Sequence, residues 1–339
     1  MRYRQAVMVT TLTAILLSRV ADAGTVYVAN ELSNTVSAID TATNRVTATI
    51  NVGDENHHRP LYNGIIDAHG ANLSPDGKLL AVTGRGSSNV LFIDTATNQV
   101  VADVLVGREP HVPTFTPDGR EAWVTIRGRD HVAVVDTKTL QVTRHIKTMN
   151  GPSMLWFSPE GRRAYIASQK EAVLWMLDVP AFRVISVNVA GNFSPFIKLT
   201  PDGKEVWLTH KTVDQVSVVD ADNLNVLKVV DVGPRPNHVE FVRVGGRDLA
   251  YVTIGKTNLP ADQRGGENLW VIDRQSREAV KRLRTGGSEA HGIWATPDGR
   301  FLYVGHEVSN DVAVVETATD QVVATIPVGK RPIDVVLKP

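Results

Sequence analysis

The residues of this chain with the clearest chemical potential are histidines that recur in one sequence context. Four of the ten histidines stand five residues ahead of the residue that opens or replaces a turn, namely His69, His111, His238 and His291. Acidic residues stand two positions before three of them, namely Asp67, Glu109 and Glu289. Neutral imidazole nitrogen binds copper, zinc and iron, and carboxylates complete the coordination or hold the ligand in one tautomer. If the fold brings these positions together, the pattern predicts a transition-metal or small polar-ligand site.

Other side chains are candidates for the outer shell of the same site. His57 and His58 lie in an insertion, Asp54–Asp67, His306 ends a predicted strand, and Arg331 carries a guanidinium fork of the kind that binds carboxylates. Simpler explanations stay open: each histidine bonds only a neighbouring backbone, and the arginines are solvated loop charges. Two neighbouring pairs, rather than one centre, are a further alternative, with His69 beside His111 and His238 beside His291.

These positions are related by an internal repeat of about 42 residues. The phrase Ala38–Val46 returns as Phe92–Val100, and related versions are centred on Asp136, Asp178, Asp220, Asp273 and Glu316. A second phrase, Ser-Pro-Asp-Gly or a close variant, begins at Ser74, Thr116, Ser158, Thr200 and Thr296. Short apolar or alternating runs between such turns are typical of β-strands. Seven copies with four strands each predict an all-β protein, a seven-bladed β-propeller with four antiparallel strands per blade.

The two ends of the sequence predict how the ring closes. The tail Gly329–Pro339 matches Gly107–Pro117, the start of a blade, and Thr25–Val28 continues just past that point. The C-terminal strand is therefore expected to pair with the N-terminal blade and to leave no open sheet edge. Three tryptophans, Trp156, Trp175 and Trp294, are most simply placed in the core between blades.

The repeat phrases resemble those of the YVTN-type β-propeller family. The phrases that carry the resemblance are Tyr27-Val28-Ala29-Asn30, Ser74-Pro75-Asp76-Gly77 and Val328–Pro332. The resemblance covers essentially all of residues 24–339 and implies one propeller domain. It does not imply one activity, because fold alone does not name a function.

Composition and the N-terminus limit the classes of protein. Met1–Ala23 has the basic start, short apolar stretch and Ala-x-Ala ending of a signal peptide, which predicts a periplasmic protein with no membrane attachment after cleavage. The 36 basic and 36 acidic residues give no support to a nucleic-acid partner. The absence of cysteine excludes disulfides, thiolate metal sites and covalent haem attachment.

Three functions fit these observations. The first is a monomeric binding propeller that holds copper, zinc or iron, or a small polar ligand, beside a redox or catabolic system and a periplasmic protein partner. The second is an enzyme, such as a metal-dependent oxidoreductase, lactonase or lyase, that uses the same histidine and acid cluster. The third is a scaffold for protein interactions. The sequence leaves open whether the protein is catalytic.

Overall fold

The structure, a computed structural model, describes residues 24–53, 65–188, 196–255 and 266–339. The predicted signal peptide and the pair His57 and His58 lie outside this part of the chain. Within it, each inner strand is almost wholly buried, whereas the fourth strand of each blade exposes most of its residues. None of the helical segments in the described ranges has the length and hydropathy to cross a membrane.

In the described residues, twenty-eight strands form seven four-stranded antiparallel sheets, which confirms the predicted propeller. We number the blades in chain order. Blade one consists of β28 (Pro332–Lys338), β1 (Thr25–Asn30), β2 (Thr35–Asp40) and β3 (Arg45–Asn51). Blades two and three consist of β4 (Ala68–Leu73), β5 (Leu79–Gly84), β6 (Asn89–Asp94), β7 (Gln99–Leu105), β8 (Pro110–Phe115), β9 (Glu121–Ile126), β10 (His131–Asp136) and β11 (Gln141–Lys147).

The remaining four blades follow the same order from the channel outward. Blades four and five consist of β12 (Pro152–Phe157), β13 (Arg163–Ser168), β14 (Leu174–Asp178), β15 (Arg183–Asn188), β16 (Ile197–Leu199), β17 (Glu205–His210), β18 (Gln215–Asp220) and β19 (Val226–Asp231). Blades six and seven consist of β20 (Pro236–Val244), β21 (Arg247–Ile254), β22 (Leu269–Asp273), β23 (Glu278–Leu283), β24 (Ala290–Ala295), β25 (Phe301–His306), β26 (Asp311–Glu316) and β27 (Gln321–Pro327).

The ring closes through the C-terminal strand, as the sequence predicted. Strand β28 pairs antiparallel with β1 from Thr25 opposite Lys338 to Ala29 opposite Asp334. The inner strands of successive blades then touch one another in an unbroken ring, with β28 between β24 and β4. The seam therefore has the same four-stranded sheet as the other blades and no unpaired inner edge.

The repeated turns explain why the frame is regular. In the Ser-Pro-Asp-Gly turn, the Ser74 hydroxyl donates to Asp76 (2.7 Å), and Gly77 has the left-handed φ of 68° that the turn requires. In the Asp-Thr-x-Thr turn, the Asp94 carboxylate accepts the backbone N–H groups of Ala96 and Thr97 (2.8 and 2.9 Å). These aspartates stabilise the turns and have a structural role.

Blade six departs from the register that its sequence suggests. Its first two strands are joined by a hairpin in which Val244 pairs with Arg247 across two glycines, Gly245 and Gly246, both with positive φ. The pairing of Pro236 with Ile254 matches that of Ala290 with His306. Asn237, and not His238, is therefore the counterpart of His291, and the predicted equivalence of His238 with the other three histidines is wrong by one residue.

Candidate functional site

Two repeat positions surround the mouth at which the inner strands begin, which we call the top face. The first is the residue after the second strand of each blade, namely Glu31, Arg85, Arg127, Gln169, Lys211, Gly255 and Glu307. The second precedes the inner strand and has a left-handed backbone in six blades, namely Asp67, Glu109, Gly151, Arg235, Glu289 and Arg331. In each of those blades a backbone hydrogen bond of 2.9–3.1 Å ties the two positions together. The top mouth thus carries a double ring of side chains at fixed spacing.

Three blades fill the double ring with opposite charges. Arg85 pairs with Asp67 (3.2 Å), Arg127 with Glu109 (2.9 Å), and Arg331 with Glu31 (3.0 Å). Glu31 is fully buried and also pairs with Arg85. Arg331 reaches Glu307 as well (3.1 Å), so it bridges blades one and seven. These ion pairs fix the carboxylates and guanidinium groups on that side of the mouth.

Blades five and six break this pairing. Lys211 and Arg235 form no ion pair with any described residue, and Arg235 faces Gly255 at the other position of its blade. The segment 189–195, which precedes the inner strand of blade five, contains no acidic residue. Burial lowers the pKa of Lys211 to about 8, although Glu307 acts in the opposite direction. Lys211 is partly buried, and Glu307 and Glu289 act on it only at distances beyond an ion pair. Such an ammonium is costly in the ligand-free protein.

Inside the double ring lies a cavity of about 160 Å³. The four predicted histidines all line it and are all buried. Burial lowers the pKa of each imidazole well below its usual value, and neighbouring cations, Arg85 for His69 and Lys211 for His238 and His291, lower it further. The prediction that these histidines look into a shared opening agrees with the structure, and they do so as neutral rings.

The first pair brings two unprotonated ring nitrogens close together. His69 Nδ1 lies 3.2 Å from a carboxylate oxygen of Glu31, which can only accept, so Nδ1 carries the proton. The Gln169 carbonyl accepts a hydrogen bond from Arg127 (3.1 Å), which turns the Gln169 amide N–H toward His111 Nε2 (2.9 Å). His111 Nε2 is therefore an acceptor too. The two Nε2 atoms are 3.2 Å apart.

The second pair has a different environment. The rings of His238 and His291 are 4.8 Å apart between centroids, and His238 stacks on Phe196 at 4.0 Å. Carboxylate oxygens lie near both rings, Asp334 at 3.8 Å from His238 Nδ1 and Glu307 at 3.6 Å from His291 Nε2. Both distances exceed a hydrogen bond. The histidines thus form two pairs and not one four-histidine centre.

The structure places some of the other predicted site residues at the cavity and others away from it. Glu289 and Arg331 line the cavity, whereas Asp67 and Glu109 hold the arginines that do so. His306 is buried away from the cavity between Thr285 and Asp311, with 2.6 Å to each, and has a structural role. Among the described residues, no three histidine or acidic side chains converge as a closed metal site requires.

Sequence reasoning missed several cavity residues: Glu31, Gln169, Lys211, Arg235, Glu307 and Asp334. All but Asp334 occupy the two ring positions, so aligning the residue after each second strand would have found most of them. Asp334 could not be found that way. It lies beside Gly292, where an added Cβ would come within 2.8 Å of its Cα, and burial raises its pKa to about 7.

The chain matches the YncE-like β-propeller family model over residues 5–338 and belongs to that family. Comparison with curated proteins gives no match. The family assignment agrees with the resemblance seen in the repeat phrases.

Solved structures share the fold at low identity. Hydrazine synthase of Kuenenia stuttgartiensis is 21% identical, with a TM-score of 0.71 over 82% of this chain and 91% of that chain. A functionally unknown protein from Desulfotomaculum acetoxidans DSM 771 is 15% identical, with a TM-score of 0.75 over 93% and 98%. The dihydro-heme d1 dehydrogenase NirN is 16% identical, with a TM-score of 0.62 over 90% and 73%. At these identities the similarity shows the fold alone.

Proposed function

We propose that the protein binds a small oxyanion, such as a short carboxylate, at the top mouth of its channel. The observation that carries this proposal is Lys211, a partly buried cation that lines the cavity and forms no ion pair with a described acid. An anion beside Lys211 and Arg235 would supply the countercharge that their blades lack. Charge-assisted hydrogen bonds to such groups are among the stronger polar contacts in proteins.

The size and polarity of the cavity limit the ligand. The cavity volume of about 160 Å³ lies below the roughly 300–1,000 Å³ of sites for drug-sized ligands. The occupant therefore has few heavy atoms. Neutral imidazoles of His238 and His291 beside the two cations supply donors or acceptors for a second polar group on the ligand.

Calorimetric titration with succinate, and with neutral succinamide as the control ligand, tests this proposal. We expect succinate to bind and succinamide not to bind. The Lys211→Met variant should bind succinate about 10-fold or more weakly, because a hydrogen bond to a charged group contributes about 1.5–3 kcal/mol. Lys147→Met is the matched control, since Lys147 is exposed on the outermost strand of blade three. Equal affinity in the two variants would reject the site.

A metal ion between His69 and His111 is the second candidate, and their nitrogen geometry favours it. Two imidazoles on a tetrahedral zinc, each at 2.0–2.1 Å, have nitrogens about 3.3 Å apart, close to the 3.2 Å observed here. Glu31 behind His69 is the carboxylate partner that metal-bound histidines commonly have. Two protein ligands would leave positions for exogenous groups, and copper, zinc and iron all suit imidazole.

Elemental analysis of the protein purified from its native host tests the metal site. We expect bound copper, zinc or iron that is lost in a His69→Ala/His111→Ala double variant. A His131→Ala/His145→Ala variant is the control, because those rings lie together on the two outer strands of blade three (4.7 Å between centroids) and do not line the cavity. Absence of metal from the native protein would remove this candidate and leave the oxyanion site in place.

We also propose that the protein is exported to the periplasm and serves a redox or catabolic system there. The basic, apolar and Ala-x-Ala segments of Met1–Ala23 support export. N-terminal sequencing of the protein from a periplasmic fraction should begin at Gly24. Retention of the full segment in a membrane fraction would contradict cleavage.

A further inference from the structure

A second cavity, of about 420 Å³, opens at the other end of the channel, on the face of the Ser-Pro-Asp-Gly turns. Two tryptophans that we expected in the core between blades, Trp156 and Trp294, line it and are only partly buried. Both also pack against hydrophobic clusters of the core, so the expectation holds for one part of each side chain while another part faces the cavity. The cavity is larger than the one at the top mouth, and its walls are mostly aromatic, proline and aliphatic side chains.

The residues in this mouth are not required by the fold. Strand pairing identifies one inner-strand residue per blade that lies opposite the same position of the second strand, in blade order Val336, Asn72, Thr114, Trp156, Lys198, Glu240 and Trp294. Blades one to three carry valine, asparagine and threonine at this inner-strand position, so the fold does not require a large or charged residue there. The large or charged residues occupy this position in the four consecutive blades four to seven. One side of the mouth therefore presents two indole rings and two charged groups, and the other side does not.

Lys198 and Glu240 form a closed ion pair in that side of the mouth. The Lys198 ammonium donates to both carboxylate oxygens of Glu240, at 2.8 and 2.7 Å, and the two side chains are only 10% and 7% exposed. A buried ion pair seldom stabilises a fold more than apolar residues of similar volume. Val336 shows that an apolar residue is accepted at an equivalent position. The pair is therefore better explained by recognition than by stability.

The same ammonium fixes the two indole rings. Lys198 Nζ lies 4.3 Å from the ring centroid of Trp294 and 5.3 Å from that of Trp156. Cation–π contacts of this kind hold aromatic rings in defined orientations around a charge. Trp156 and Trp294 belong to blades three steps apart in the ring, so they face the cavity from two sides. Their partly exposed rings offer stacking surface that no described residue covers fully.

We propose that this turn-side mouth binds a small uncharged molecule with a flat heteroaromatic ring. The ring stacks on Trp294 or Trp156, and its polar substituents exchange hydrogen bonds with the Lys198–Glu240 pair. The ligand is uncharged because the two charges of the mouth already neutralise each other. The cavity volume lies in the range of about 300–1,000 Å³ that is usual for small-molecule sites. This site is independent of the oxyanion site at the top face.

Saturation-transfer NMR and calorimetry with nicotinamide and uracil test the proposal, with methyl β-glucoside as a non-aromatic ring. We expect at least one heteroaromatic probe to bind the wild-type protein and the glucoside to bind more weakly. Trp294→Ala should weaken that binding about 5- to 100-fold, the loss expected for one stacked ring. Trp270→Ala is the control, because Trp270 packs against Arg282 outside the cavity.

Two further variants keep the test decisive if Trp294→Ala does not fold. Trp294→Phe retains a stacking face and should keep most of the affinity, whereas Lys198→Met removes the polar anchor and should reduce it about 10-fold. The proposal is overturned if neither heteroaromatic probe binds, if only the glucoside binds, or if the Trp294 and Lys198 variants bind like the Trp270 control.

Discussion

Replacing Lys211 by methionine should make the ligand-free protein more stable at neutral pH. Burial lowers the Lys211 pKa from an ordinary 10.5 to about 8, which corresponds to up to about 3 kcal/mol of unfavourable free energy for the charged form at pH 7. Methionine keeps most of the aliphatic stem and removes the charge. The expected gain is therefore up to about 3 kcal/mol in the free energy of unfolding.

The pH dependence separates this effect from a change in packing. Since the folded pKa is lower than the unfolded pKa, the unfolded chain binds the extra proton between pH 8 and pH 10.5. Wild-type stability should therefore rise relative to the variant across that window, and the difference should vanish above it. Urea unfolding of the wild type and the Lys211→Met variant at pH 7, 9 and 10.5 measures this difference in the free energy of unfolding. A variant that is equally stable or less stable at pH 7 would refute the argument that Lys211 lacks a countercharge.

Three other substitutions have distinct expected outcomes. Asp334→Asn should abolish a gain of stability of a few kcal/mol that the wild type shows as the pH is lowered from about 7 to about 4, measured by urea unfolding monitored by circular dichroism. Burial raises the Asp334 pKa to about 7, so the folded state binds the proton more tightly than the unfolded one. Arg331→Gln should lower the free energy of unfolding by about 1–3 kcal/mol in urea, since it leaves the buried Glu31 with Arg85 as its one cationic partner among the described residues, beside the neutral His69. Trp207→Ala, in the fully buried core, should cost about 3–5 kcal/mol in the same assay, and a smaller loss would mean that the blade core repacks.

The propeller could be predicted from sequence because its turns repeat with their chemistry. Asp94 and its counterparts accept the same backbone hydrogen bonds in successive blades, and the match of Gly329–Pro339 to Gly107–Pro117 predicted the seam. The prediction failed where local chemistry changed. In blade six the Gly245-Gly246 hairpin replaces the usual turn, so counting back from Arg243 misplaced His238 by one residue.

The candidate sites were predictable only in part. Three of the four histidines share a repeat position, and this pointed to the channel. The tautomers of His69 and His111 depend on Glu31 and Gln169, which come from other blades, and no repeat phrase indicates that these side chains reach the histidines. The sequence also could not show that Trp156 and Trp294 face a cavity, because aromatic residues in inner strands are equally typical of a core.

The seam gives the top cavity a property that no single blade has. Arg331, the residue before β28, and Asp334, within β28, contact Glu31 and Ala71, which come from the other end of the sequence. If β28 were detached while the other strands stayed folded, the cavity would lose the Arg331 guanidinium, which links Glu31 and Glu307, and the Asp334 carboxylate. A ligand that contacts those groups would therefore bind the closed ring, with β28 paired to β1, in preference to the ring with β28 detached. Ligand binding would then stabilise the closed ring. The free energy needed to detach β28 from β1 would then increase with ligand occupancy of the top cavity.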